Sequence, residues 1–185
     1  VPEMSRQAEG QIARWREAGS ARPGGATQPI DLDMTEATFR VISATMFAGA
    51  ADAEGRLIQD KADVMLRWVS WEIGYAIVGL PWWVPHPGKL PRALASRRMR
   101  EAVHGILKRR KAEGSGGDDL MARLQAAKDP DTGRPMDDEQ IVDNMLTFLA
   151  AGHETTAKAL TWTLYLLSRA PEWQERIREE VRAVA

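Results

Sequence analysis

Apolar residues return every three to four positions along most of this chain, the spacing of one face of an α-helix, and the two-residue alternation of strands is nearly absent. Gly and Pro punctuate the pattern and divide it into segments. The first predicted helix covers residues 2–18. Pro2 stands where a first-turn proline is tolerated, Met4, Ala8, Ile12 and Trp15 form an apolar stripe, and Gly19 suits the stop. Residues 19–29 read as a flexible stretch. The second helix opens with Asp33 and Glu36 at capping-box spacing, turns Phe39, Ile42 and Met46 inward, and stops near Gly49. A third covers residues 53–73, with Leu57, Val64, Trp68 and Trp71 among its apolar positions. Prolines 81, 85 and 87 make segment 79–91, with its Trp82-Trp83 pair, unsuitable for a regular helix.

A basic helix is predicted over residues 91–113, carrying Arg92, Arg97, Arg98, Arg100, Lys108, Arg109, Arg110 and Lys111. Its apolar positions Leu94, Val103, Ile106 and Leu107 give it an inward side, so the charges read as a solvated face. A flexible connector at 114–117 leads to a brief helix over 118–127 and a turn-rich loop over 129–135. Asp129 and Asp131 in that loop suggest a calcium site, but Gly133 and Gln140 break the ligand pattern. The longest helix runs over 137–168, roughly 45 Å at 1.5 Å per residue. Asp137 is its N-cap, with Gln140 three residues on. Leu146, Phe148 and Leu149, then Leu160, Trp162, Leu164, Leu166 and Leu167, point in several directions, as in a helix threaded through a core. Pro171 begins a last helix over 172–184. The fold class predicted is all-α, and residues 1–185 read as part of one domain.

Composition narrows the chemistry. Among 185 residues, 44% are hydrophobic and 28% charged, which fits a soluble globular chain. A net charge of −1 gives no reason to expect nucleic acid as a partner. No apolar run reaches the roughly 18 residues a membrane span needs. The opening Val1-Pro2-Glu3-Met4 is no signal peptide, and a reading frame that begins earlier is expected. A cytoplasmic location fits, although an N-terminal anchor upstream stays open. Cysteine is absent, which excludes disulfides and thiolate ligands within these residues. His86, His104 and His153 lack metal-ligand spacing, so no metal ligand is assigned.

The middle of the longest helix reads Ala150-Ala151-Gly152-His153-Glu154-Thr155-Thr156. Gly152 costs about 1 kcal/mol relative to Ala in a helix interior, and two β-branched threonines add to that. Small residues let another group approach the backbone. Thr155 can bond back to a carbonyl of the preceding turn or leave it free for water. A groove, a hydroxyl and a carboxylate within one turn can bind a small polar molecule and pass protons to it. The plainer alternative is that Gly152 permits close packing and that Glu154 pairs with Lys158 at i,i+4. His153-Glu154 also opens a zincin motif, but Ala157 stands where the second histidine belongs.

Residues Ala151 to Thr156 match the A-G-x-[DE]-T-T signature of the long central helix of cytochromes P450, and the flanking order of helices resembles that family from its D to its J helix. The resemblance implies a haem-dependent monooxygenase, inserting one atom of O2 into an apolar organic substrate. Its cofactor would be haem b with its iron. Its electrons would come from a partner such as a ferredoxin or a flavoprotein reductase. By that likeness Ala151 and Gly152 form the dioxygen groove over the distal haem face. Thr155 is the alcohol that hydrogen-bonds dioxygen as it is reduced, directly or through water. Glu154 is the acid that relays solvent protons, Thr156 supports the same wall, and Thr147 and Ala150 face the substrate pocket.

The chain also departs from the family pattern. The axial Cys is absent, and the family's E-x-x-R pair is expected beyond Ala185. Glu175-Arg176-Ile177-Arg178 spells E-x-x-R, but on an earlier helix whose acid–base pairs are ordinary. The reading is therefore of an internal fragment, cut at both ends, inactive alone, prone to aggregate and weak in haem binding. The rival is a helical interaction module or truncated pseudo-enzyme that docks a partner through Arg97, Arg98 and the Trp82-Trp83 loop; other readings of that loop are a substrate entrance, a dip into a membrane surface, or buried packing.

Overall fold

The computed structural model describes residues 2–20, 27–47, 52–81, 83–114 and 118–184. Seven helices follow in chain order: α1 (Pro2–Ser20), α2 (Ile30–Phe47), α3 (Asp52–Val78), α4 (Lys89–Glu113), α5 (Leu120–Ala126), α6 (Asp138–Ser168) and α7 (Pro171–Val184). The described residues contain no strand, only an isolated antiparallel bridge between Lys128 and Pro135. The all-α expectation is met. The chain divides into two compact units, one of Val1–Val41 with Ala151–Ala185 and one of Ile42–Ala150. The predicted stop at Gly49, most of the 19–29 stretch, Trp82 and residues 115–117 lie outside the described residues.

In the unit of residues 42–150, α3 packs against α4. Ile58 and Ala62 of α3 are buried, as are Ala95, Met99, Val103, Ile106 and Leu107 of α4. Leu94, expected inward, is 52% exposed, and the inward face runs through Ala95 and Met99 instead. The third helix also runs past its predicted end. Beyond Val78, Gly79 adopts φ 72°, its N–H bonds Ala76 O at 3.2 Å, and Leu80 N–H bonds Tyr75 O at 2.9 Å. This pair of bonds is a Schellman stop, for which a left-handed glycine is the cheapest residue. Trp71, named among its apolar positions, is exposed.

The basic residues of α4 are largely spent on this same unit. Arg92 pairs with Glu72, Arg109 with Glu54, Lys111 with Asp138, and Arg100 with both Glu139 and Asp143. His104 lies 3.0 Å from Glu139. Hydrogen bonding to Asp143, with the charges of Asp143 and Glu139, raises the Arg100 pKa further above its ordinary value. Arg110 is the inward member, pairing with the buried Asp119.

In the unit of residues 1–41 and 151–185, α1 presents a different face from the one its sequence suggests. Met4, Ala8 and Ile12 are exposed, whereas Gln11 is buried and Trp15 half-buried. The indole N–H of Trp15 donates to Asp33 Oδ2 at 2.6 Å, which turns that polar tip inward. Asp33 is therefore not the cap of α2. The helix starts at Ile30, immediately after Pro29, and the Asp33 N–H already bonds Pro29 O at 3.0 Å. Met34, Thr38 and Phe39 form the buried face of this part of α2. At the other end of the unit, Gln174 Nε2 donates to Leu167 O at 2.6 Å, capping the end of α6 from α7.

Candidate functional site

α6 begins as its sequence dictates. Gln140 N–H donates to Asp137 Oδ1 at 2.8 Å, and Asp137 N–H donates to Gln140 Oε1 at 2.9 Å. This reciprocal box satisfies two of the orphan donors at the helix start and contributes about 1 kcal/mol. Met145, Leu149, His153 and Ala157 follow at four-residue spacing, and all are buried. That line fixes which residues look outward. Thr147, Ala151 and Thr155, also spaced by four, are exposed, as is Thr156, while Ala150, Gly152 and Glu154 are half-buried. The threaded-core expectation is met at Leu149 but not at Phe148, which is exposed. Leu160, Trp162 and Leu166 are exposed.

The exposed Ala151, Thr155 and Thr156 and the half-buried Gly152 carry no side chain larger than threonine. A planar group can therefore come close to the backbone there. Thr155 Oγ1 donates to Ala151 O at 2.5 Å, the back-bond to the preceding turn. Thr147 does the same to Asp143 O at 2.7 Å, so the bond is the ordinary resting state of a helical threonine. Its proton becomes available to another acceptor when the hydroxyl rotates. Glu154 stands next to Thr155 in sequence. The Glu154–Lys158 pair allowed by spacing is not among the ion pairs formed by the described residues, so the carboxylate is not committed to that partner.

His153 faces the other way. It is 1% exposed, and its ring meets Phe39 edge-on with centroids 5.3 Å apart and planes at 82°. Thr38 Oγ1 lies 3.2 Å from the His153 carbonyl oxygen. Sequence reasoning turned Phe39 inward but missed its contact with His153, and it missed Thr38 altogether. Thr38 and Phe39 stand 115 and 114 positions before His153, and a threonine and a phenylalanine inside a helix carry no local signal of such a role.

The donor set decides what these residues can hold. Small residues and hydroxyls fit the distal side of a haem. No cysteine occurs in the 185 residues, and the described residues contain no group of three His, Cys, Asp or Glu placed to hold a metal ion. The turn thus fits one face of such a cofactor and does not supply its axial thiolate. No helix among the described residues is long and apolar enough to cross a membrane.

The described residues are helical, and the longest helix carries a small-residue turn at its middle. The chain belongs to the cytochrome P450 family, whose family model matches residues 4–185. It is 34% identical over 166 residues to cyclooctat-9-en-7-ol 5-monooxygenase of Streptomyces melanosporofaciens, covering 88% of this chain and 35% of that protein. It is 46% identical over 86 residues to the self-sufficient cytochrome P450 monooxygenase CYP505AG1 of Oidiodendron maius, covering 46% of this chain and 8% of that protein. Among solved structures it resembles the haem domain of cytochrome P450DA, with a TM-score of 0.70 and 28% identity, over 95% of this chain and 37% of that one. The chain therefore spans about a third, or less, of the length of these relatives.

Proposed function

We propose that this chain forms the distal, oxygen-activating wall and part of the substrate pocket of a haem-dependent monooxygenase that inserts one oxygen atom from O2 into an apolar organic substrate. One observation supports the reading: Ala151, Thr155 and Thr156 are exposed on α6, Thr155 Oγ1 bonds back to Ala151 O, and Gly152 and Glu154, their neighbours in sequence, are half-buried. Family membership supports the haem and the reaction class. When bound, the haem supplies the redox and oxygen-insertion chemistry.

The residues of this chain supply space and protons. Ala151 and Gly152 leave room for a diatomic ligand against the helix. The Thr155 hydroxyl rotates off Ala151 O, donates to that ligand, and accepts in turn from water or Glu154. Glu154 exchanges protons with solvent and hands them on. Thr156 supports the same wall, while Thr147 and Ala150 line the substrate side. Electrons come from a ferredoxin or a flavoprotein reductase. The chain alone, without a cysteine, is inactive. The interaction-module reading is not favoured, because the cytochrome P450 family model matches residues 4–185.

The test is Thr155→Ala in the haem-loaded monooxygenase carrying this sequence, with product and reductant both measured. Reductant consumption should continue while product per reductant falls. Unchanged coupling would remove the role assigned to Thr155.

A further inference from the structure

α2 grips the motif turn from behind through two adjacent residues. Thr38 and Phe39 are 8% and 4% exposed, and His153 is 1% exposed. The Thr38 hydroxyl lies 2.8 Å from Met34 O, 3.1 Å from Thr35 O and 3.2 Å from His153 O. A hydroxyl carries one proton. The bond to His153 therefore forms at the expense of the bond within α2, and it is the one that joins the two helices. Phe39, the next residue, meets the His153 ring edge-on, a geometry that aromatic pairs favour. One residue of α2 thus addresses the backbone of His153 and its neighbour addresses the side chain.

The consequence lies on the opposite side of α6. Successive helical residues are rotated by about 100°, so the placement of His153 determines where Glu154 and Thr155 point. The helix does not guarantee that direction unaided. Gly152 and the adjacent threonines weaken it locally, and a hydroxyl back-bond such as that of Thr155 favours bending.

We propose that Thr38 and Phe39 form a clasp that sets the rotation of the Ala151–Thr156 turn, with Thr38 a positioning residue that acts on Glu154 and Thr155 through the His153 carbonyl. The proposal rests on the oxygen-activating role given above to those two residues. It assigns α2 a function in catalysis although α2 itself touches no reacting atom.

The experiment compares Thr38→Val, which keeps the shape and loses the proton, with Thr38→Ser, which keeps the proton. Both are made in the haem-loaded monooxygenase. Amide hydrogen exchange over residues 151–157 and product per reductant are read in parallel. Loss of one hydrogen bond should speed exchange about fivefold in Thr38→Val, and the misplaced turn should lower coupling at least about twofold. Thr38→Ser should restore both. Parental exchange in Thr38→Val overturns the clasp, as does faster exchange with unchanged coupling. Failure of the Thr155→Ala test is a different result: it removes the role of Thr155 and leaves the exchange effect standing. Should Thr38→Val not load haem, Phe39→Leu carries the same two readouts, with faster exchange and lower coupling expected and parental values of both overturning the proposal.

Discussion

Arg110 of α4 faces Asp119, the residue that caps α5, and the two share a nearly dry site: their side chains are 12% and 1% exposed. Each Asp119 oxygen has its own task. Oδ1 accepts the Ala122 N–H at 2.9 Å, and Oδ2 faces the Arg110 guanidinium. Arg110 also donates to the carbonyl of Phe47, so one side chain ties α4, the start of α5 and the end of α2 within the same unit.

That arrangement predicts an asymmetric mutational cost. Arg110→Met leaves a buried carboxylate without its counter-ion and should destabilise the protein by about 3 kcal/mol. Asp119→Asn keeps the cap and should cost about 1–2 kcal/mol. The double variant should cost less than the sum, because each single change strands the other member of the pair and the double change strands neither. Urea unfolding of the four proteins measures the coupling. Additive costs would show that the pair does not act as a unit.

Gly88 is the second position where the structure leaves no slack. A Cβ there would lie 2.7 Å from Trp68 Cε3, 2.8 Å from Trp68 Cβ and 2.9 Å from Cδ2. The backbone is ordinary, with φ −83° and ψ −11°, so alanine meets a steric obstacle and no conformational one. Gly88→Ala should destabilise by about 1–3 kcal/mol through overpacking. Trp68→Leu in the same chain should recover part of that loss. Denaturant midpoints of the single and double variants read the recovery directly.

Much of this fold is legible in the sequence because its signals are local. The Asp137–Gln140 box and Pro171 at the first position of α7 each act within four residues, and both stand where the pattern puts them. Other expectations are not met. Asp33 resembles a cap, but Pro29 starts α2 earlier and Trp15 claims the carboxylate. Met4 and Ile12 make a helical stripe, yet the chain buries the face of Gln11. At Asp33 a tertiary partner, Trp15, overrides a local pattern. The motif turn is legible by type, through Gly152 and its threonines. Its grip by Thr38 and Phe39 is not, since a contact across more than a hundred residues leaves no periodic trace.

For Glu154 sequence spacing alone leaves two roles open, and substitution separates them. A residue that served only to pair with Lys158 would make Lys158→Ala and Glu154→Gln equivalent. As that pair is not formed among the described residues, Lys158→Ala should leave turnover unchanged, while Glu154→Gln should slow product formation roughly ten- to hundredfold. Substrate affinity should hold in both. Equal effects of the two substitutions on the rate would return Glu154 to a surface ion pair.

The loop before α6 offers a pH-dependent test at a site apart from the motif turn. Asp129 Oδ1 accepts the Thr132 hydroxyl at 2.8 Å, the Thr132 N–H at 2.7 Å and the Asp131 N–H at 3.1 Å. These donors, the Thr132 hydroxyl foremost, favour the ionised form and hold the Asp129 pKa below the usual carboxylate range. The sign follows from linkage. A pKa depressed by folding contributes stability that is fully present above the unfolded value and is lost as pH falls through the folded one. The Asp129 turn should therefore loosen only in acid, below the pH at which an unperturbed aspartate titrates. Thr132→Val removes the leading donor and keeps both backbone N–H groups, so it should move the titration part of the way up. A carboxyl-carbon NMR titration of Asp129 in the two proteins measures the shift. An identical midpoint in both would show that the backbone donors alone hold the charge.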